Sequence, residues 1–140
     1  MSDVETDKAE GGINLKLKHD CVRTLLLTIE SDIPHGEFLY SDDLHKNPNL
    51  KNFSLEDVVY TIEKIYEADF INADIIKTLS DGQSAIVHSL TYSGHTFLDN
   101  IRDEGIWKEA KGKAAQVGST SLGILADIAG SYIKQKLGLN

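Results

Sequence analysis

Five histidines, one cysteine and 22 carboxylates are the side chains of this 140-residue sequence best suited to chemistry. His19, His35, His45, His88 and His95, with Cys21, are donors of the kind that zinc takes. Zinc sites in sequence place such donors in close pairs, as in C-x-x-C or H-x-x-x-H. His19-Asp20-Cys21 is too compact to converge from a helix start, and the others are dispersed. Ser93-Gly94-His95 sets a hydroxyl beside an imidazole, but a nucleophile and its base are matched in space, not by adjacency. There is no G-x-S-x-G elbow, no phosphate-cradling glycine loop and no H-E-x-x-H. A non-enzymatic protein without metal or cofactor is expected, with Cys21 as a small inert helix residue.

Binding is the chemistry that remains. Residues 54–69, SLEDVVYTIEKIYEAD, carry Leu55, Val58, Val59, Ile62 and Tyr66 at the spacing of one buried helical stripe. The opposite side presents Glu56, Asp57, Tyr60, Glu63, Lys64 and Glu67, a face for a protein partner with basic character. Lys46, Lys51 and Lys77 are the positions that could touch a nucleic-acid backbone. The balance of charge disfavours that use: the net charge is -8, and phosphate binding depends on clustered Lys and Arg. Residues 1–103 hold 9 Lys/Arg against 19 Asp/Glu, whereas residues 104–140 hold 5 against 3, so the acidity belongs to the body of the chain.

These faces need elements to carry them. Residues 1–12 read as a charged, disordered tail ending in Gly11-Gly12. A short alternating run from Ile13 gives way to a helix, with Asp20 as its N-cap and Val22, Leu25, Leu26, Ile29 and Ile33 as its stripe. Residues 37–40 form a short strand, Ser41 opens a brief helix, and Ser54-x-x-Asp57 resembles a capping box. Phe70 to Leu90 reads as two strands joined through residues 80–84, with Asp81-Gly82 as the turn. A helix follows Thr91. The last segment is rich in Ala, Gly and Ser, and Leu122, Leu125, Ala129, Tyr132 and Ile133 form an apolar seam. That seam could pack back on the chain or join two copies, as one helix or two. A bilayer surface is a weaker alternative, because glycine and serine abound there. No run reaches the roughly 18 apolar residues of a membrane span, the N-terminus does not read as a signal peptide, and cytoplasmic residence is expected.

The order helix, strand, helix, turn, helix, hairpin, helix is that of a winged helix-turn-helix. Three strings, CVRTLLLTIE (21–30), VVYTIEKIYEADFI (58–71) and LTYSGHTFLDNIRDEGIWKEAK (90–111), resemble the bacterial and prophage family known as domain of unknown function 2513. The resemblance runs from Asn14 to the C-terminus, and its most specific part is the pattern LT-x-x-GH-x-FLD-x-IRD-x-x-x-W. It implies a phage or prophage origin and a winged-helix core. The family has no established catalytic residues, so none is carried over.

The sequence therefore predicts an α+β, mostly helical chain: a winged-helix domain over residues 13–105 and a C-terminal helical extension over 106–140 for self-association, giving a homodimer. It is expected to be a phage accessory protein that binds an unidentified protein partner in a regulatory role. The alternative is a DNA-binding regulator acting as a dimer.

Overall fold

Cys21, Val22, Leu25, Leu26 and Ile29 share one side of α1 (His19–Asp32), and each is at most 1% exposed, as three- and four-residue spacing demands. The computed structural model describes residues 16–78, 82–118 and 121–139. The tail expected over 1–12 and the expected turn residues Ser80 and Asp81 lie outside these. α1 does not start on its expected cap. Lys18 holds the N-cap position without a side-chain hydrogen bond. Asp20 sits within the first turn and accepts from Trp107 Nε1 at 2.8 Å and Lys111 Nζ at 2.7 Å. Partners some 90 residues away, invisible to local pattern, have claimed the carboxylate.

The chain continues through β1 (Leu39–Tyr40), α2 (Ser41–His45), a 3-10 turn (Pro48–Leu50) and α3 (Leu55–Glu67). Ser54 Oγ caps α3 by accepting from Asp57 N at 3.0 Å, satisfying one of the free donors of its first turn. The expected stripe of α3 is rotated. Val58, Thr61, Ile62 and Ile65 are buried, while Leu55 and Val59 are half-buried and Tyr66 is exposed. Thr61 tolerates the interior because its hydroxyl donates back to the Asp57 carbonyl at 2.7 Å. Asp69, at φ 69°, turns the chain out of the helix, a conformation that Asp tolerates better than most residues.

β2 (Ile71–Thr78) and β3 (Gly82–Leu90) form the expected antiparallel pair, and β1 joins the far edge of β3, giving the order β1-β3-β2. A register shift between Asn72 and Ala73 marks a bulge. Then come α4 (Tyr92–Ile101), α5 (Glu104–Ala115) and α6 (Leu122–Lys136), with Thr91, Asp103 and Ser121 as side-chain N-caps. The last segment is thus two helices. Gly118 after α5 adopts φ 86°, a left-handed conformation that glycine enters without a Cβ penalty.

The fold is α+β and mostly helical. One hydrophobic cluster includes Leu25, Ile62, Val87, Leu98, Trp107, Ala110, Leu125 and Ala129. The residues after 105 therefore complete the same core that α1 and α3 begin. Fully burying a side chain such as Ile62 or Leu98 contributes about 1.5–3 kcal/mol.

Candidate interaction faces

The outer side of α3 is less uniformly acidic than its sequence. Asp57 does not belong to it: the residue is 9% exposed, and its carboxylate takes Lys18 Nζ at 2.7 Å. The hydrogen bond from Lys18, supported by bonds from Ser54, holds the Asp57 carboxyl below the usual carboxylate range against the opposing effect of burial. Ser54 and Asp57 thus complete each other as a capping box, and the lysine neutralises the result. The remaining carboxylates face water in different company. Glu56 is exposed, Glu63 accepts from Gln83 Nε2 on β3 at 3.1 Å, and Glu67 pairs with Lys64 at 3.1 Å. Lys64 also lies 5.4 Å from the Tyr60 ring centre, a cation–π distance. The one cation on this face is thereby matched within the face. Its hydrogen bond to Glu67 raises the Lys64 pKa.

The lysines proposed for a nucleic-acid backbone are exposed but do not form a row. Lys46 and Lys51 flank the 3-10 turn, and Lys46 lies 3.7 Å from Asp43. Lys77 stands on β2, opposite Gln83. Asp32 accepts from Asn47 Nδ2 at 2.7 Å in the same corner, so carboxylates interleave with the two turn lysines.

The C-terminal seam is partly spent. Leu125 and Ala129 are fully buried in the chain's own core, which corrects their expected place on a self-association surface. The cause is the hairpin of α5 and α6, which turns these residues inward. Leu122, Tyr132 and Ile133 stay half-buried. A cleft beside α6 shares only Tyr132 with that seam and is otherwise lined by residues that include Lys113, Ile124, Asp127 and Ile128. Ile124 is 48% exposed.

The long pattern of residues 90–107 proves to be scaffold. Thr91 Oγ1 accepts from Gly94 N at 3.0 Å and donates to the Asp69 carbonyl at 2.6 Å. Gly94 lies against the backbone of Phe70, where any Cβ would collide with the Phe70 carbonyl oxygen. Glu30 on α1 takes Arg102 through both oxygens, at 2.7 and 2.9 Å. Asp99 takes the same guanidinium at 2.9 Å, and His95 Nδ1 lies 3.7 Å from Glu30. These partners raise the Arg102 pKa and hold Glu30 below the usual carboxylate range, the arginine's hydrogen bonds being the main cause. Asp103 caps α5, and Trp107 reaches Asp20. Burial works against ionisation of Asp20, but the bonds from Lys111 and Trp107 outweigh it and lower its pKa.

Ser93 is an exposed first-turn residue. Elsewhere, His45 Nε2 lies 2.8 Å from the Phe53 carbonyl oxygen, and His88 Nε2 lies 3.1 Å from Asp74. Cys21 is buried, which pushes its thiol pKa up. Among the described residues, no three His, Cys, Asp or Glu side chains gather as metal ligands would. Among the same residues, no helix is long and apolar enough to cross a membrane.

Sequence reasoning missed the Lys18–Asp57 and Asp20–Trp107–Lys111 contacts, because neither pairing has a local signal. It also passed over Phe38, just before β1, and Tyr40 on it, both 49% exposed.

Comparison with known proteins finds a family and a curated relative. The model of the family described as "Hypothetical protein (DUF2513)" matches residues 16–121, a span that contains the whole 90–107 pattern. A Haemophilus influenzae protein described as "Uncharacterized protein" is 29% identical over 127 residues, covering 88% of this chain and 99% of its own length. No solved structure matches the chain.

Proposed function

The chain belongs to the DUF2513 family, and we propose that it is a winged helix-turn-helix protein that binds another protein and catalyses no reaction. The element order α1-β1-α2-α3-β2-β3 with sheet order β1-β3-β2 supports the winged-helix reading. In that arrangement α3 occupies the position that reads DNA in nucleic-acid-binding relatives of the fold, and fold analogy alone assigns no function. The observation that carries the proposal is the composition of this face. Glu56, Glu63 and Glu67 point outward beside Tyr60, and the single lysine is matched by Glu67. Carboxylates next to phosphate meet repulsion and release no counterions, whereas a basic protein surface meets attraction. The role is regulatory, in a phage or prophage setting. Self-association, if it accompanies this role, uses the outer side of α6 around Ile124, Ile128 and Tyr132.

The second reading is a dimeric DNA-binding regulator, favoured by the exposure of Lys46, Lys51 and Lys77. Fluorescence anisotropy with mixed duplex DNA at low salt separates the two. The protein reading expects no binding. Micromolar binding with a steep salt dependence, lost on Lys46→Glu and Lys51→Glu, overturns it. Crosslinking in host lysate then compares the wild-type chain with the Glu56→Lys, Glu63→Lys, Glu67→Lys variant. A partner retained by that variant excludes α3 as the binding face.

A further inference from the structure

α6 buries Leu125 and Ala129 completely, and at 3.6 residues per turn the positions about half a turn from them face water. Ile124 is 48% exposed, and Leu137, which ends the helix, is 67% exposed. Between them Asp127, Ser131 and Lys134 are exposed and Gly130 is half-buried. Steps of three and four residues keep these positions on one narrow seam. The seam matches its own reversal. Counted outward from the bond between Gly130 and Ser131, Lys134 answers Asp127, and Leu137 answers Ile124. Asp127 and Lys134 stand about 10 Å apart along the helix axis. They do not pair with each other, and among the described residues neither has an ion-pair partner within the chain.

We propose that this seam is the contact between two copies of the chain, which lay α6 against α6 antiparallel about a two-fold axis passing between Gly130 and Ser131. In that arrangement Asp127 meets the partner's Lys134 and Ile124 meets the partner's Leu137, and the axis repeats both contacts. Glycine and serine at the centre let the two backbones approach closely. Charge selects this arrangement over its alternatives. A parallel pair sets Asp127 against the partner's Asp127 and Lys134 against the partner's Lys134, and like charges so placed repel. A nucleic-acid backbone laid along the seam meets Asp127 without releasing a counterion. Helices of 15 residues are about 22 Å long, so one pair of them gives an interface at the small end of the specific range, below roughly 1,200 Å². The dimer is therefore weak and concentration-dependent, and its ion pairs make it weaker in salt. The inference rests on the self-association assigned to α6 above and names its geometry; it does not depend on what α3 binds.

The test uses the full chain, with sedimentation equilibrium read across micromolar concentrations at low and physiological salt. Wild-type protein is expected to dimerise reversibly, and less in salt. Asp127→Lys and Lys134→Asp are each expected to raise the dissociation constant about tenfold. The double variant carrying both exchanges is expected to return it to within about threefold of wild type. Circular dichroism and melting should stay as in wild type, because both residues are exposed. Cysteine variants then read the direction of the pair. Ser131→Cys lies beside the axis and is expected to form an interchain disulfide under mild oxidation. Gly123→Cys, roughly 22 Å from its copy in the antiparallel pair, is expected to form none. Wild type serves as the control, since Cys21 is buried. A monomer at every concentration overturns the proposal. So does a dimer indifferent to the charge reversals, or one that also crosslinks through Gly123→Cys, the mark of a parallel pair. The Glu56→Lys, Glu63→Lys, Glu67→Lys variant is expected to dimerise as wild type does, so failure of the α3 reading shows in partner capture and failure of this one in sedimentation. Loss of the dimer in that variant would place the contact on α3 and end the proposal.

Discussion

Residues 90–107 and α3 are both dense in charged and polar side chains, yet they use them in opposite directions. In the first region the chain spends them on itself. Arg102 joins α4 to α1 through Glu30, Asp103 starts α5, Thr91 starts α4, and Trp107 finds Asp20. On α3, Asp57, Thr61, Glu63 and the Lys64–Glu67 pair are turned to internal use. Glu56 and Tyr60 have no comparable structural duty. A long, specific sequence pattern can therefore report how a chain folds rather than what it binds.

Substitutions measure that contrast directly. The largest effect is expected from Trp107→Ala, which empties a site 3% exposed and orphans the hydrogen bond of Asp20. A loss of about 4 kcal/mol is expected in urea unfolding; less than about 1 kcal/mol would mean that α5 is not part of the core. Gly94→Ala follows, at roughly 3 kcal/mol, because the backbone of Phe70 must move away from the new Cβ. An unchanged melting midpoint for this variant would refute the close approach of α4 to Phe70.

Asp57→Asn is expected to cost about 1 kcal/mol at neutral pH and to change the acid limb of the stability curve. The Asp57 carboxyl is held below its ordinary value by Lys18. Its contribution is therefore present above the unfolded carboxylate range and fades as pH falls from about 5. The variant should lose stability less steeply there than wild type, and parallel acid limbs would count against the Lys18 contact. The smallest effects belong to Glu56→Lys and Glu63→Lys, each within about 0.5 kcal/mol. Thermal melting that placed either near the Trp107 value would erase the distinction between the two regions.

Much of the architecture was legible from local pattern. Ser54 and Thr91 announced their helices as caps, and the apolar runs of β2 and β3 announced the hairpin. What local pattern hides is how each polar group is satisfied, whether by its own helix or by a partner distant in sequence. The phase of α3 was taken from Leu55 and Tyr66, but polar Thr61 lies inside because its hydroxyl is satisfied by its own helix. Asp57 looked like surface until Lys18, 39 residues away, supplied its counter-charge. Glycines in the C-terminal segment signalled weakness without saying where the helix would break, and Gly118 with its positive φ marks the place. The interaction faces were less legible still. Exposure is a property of the assembled sheet: helical spacing marks Ile62 for burial, whereas a strand as short as β1 gives Tyr40 too few neighbours for alternation to show.

Asp20 depends on Trp107 and Lys111, which follow it by 87 and 91 residues. Synthesis at about 5–20 residues per second puts roughly 5–20 s between the emergence of α1 and that of its partners. For that interval the first turn of α1 carries a carboxylate whose two side-chain donors are not yet made.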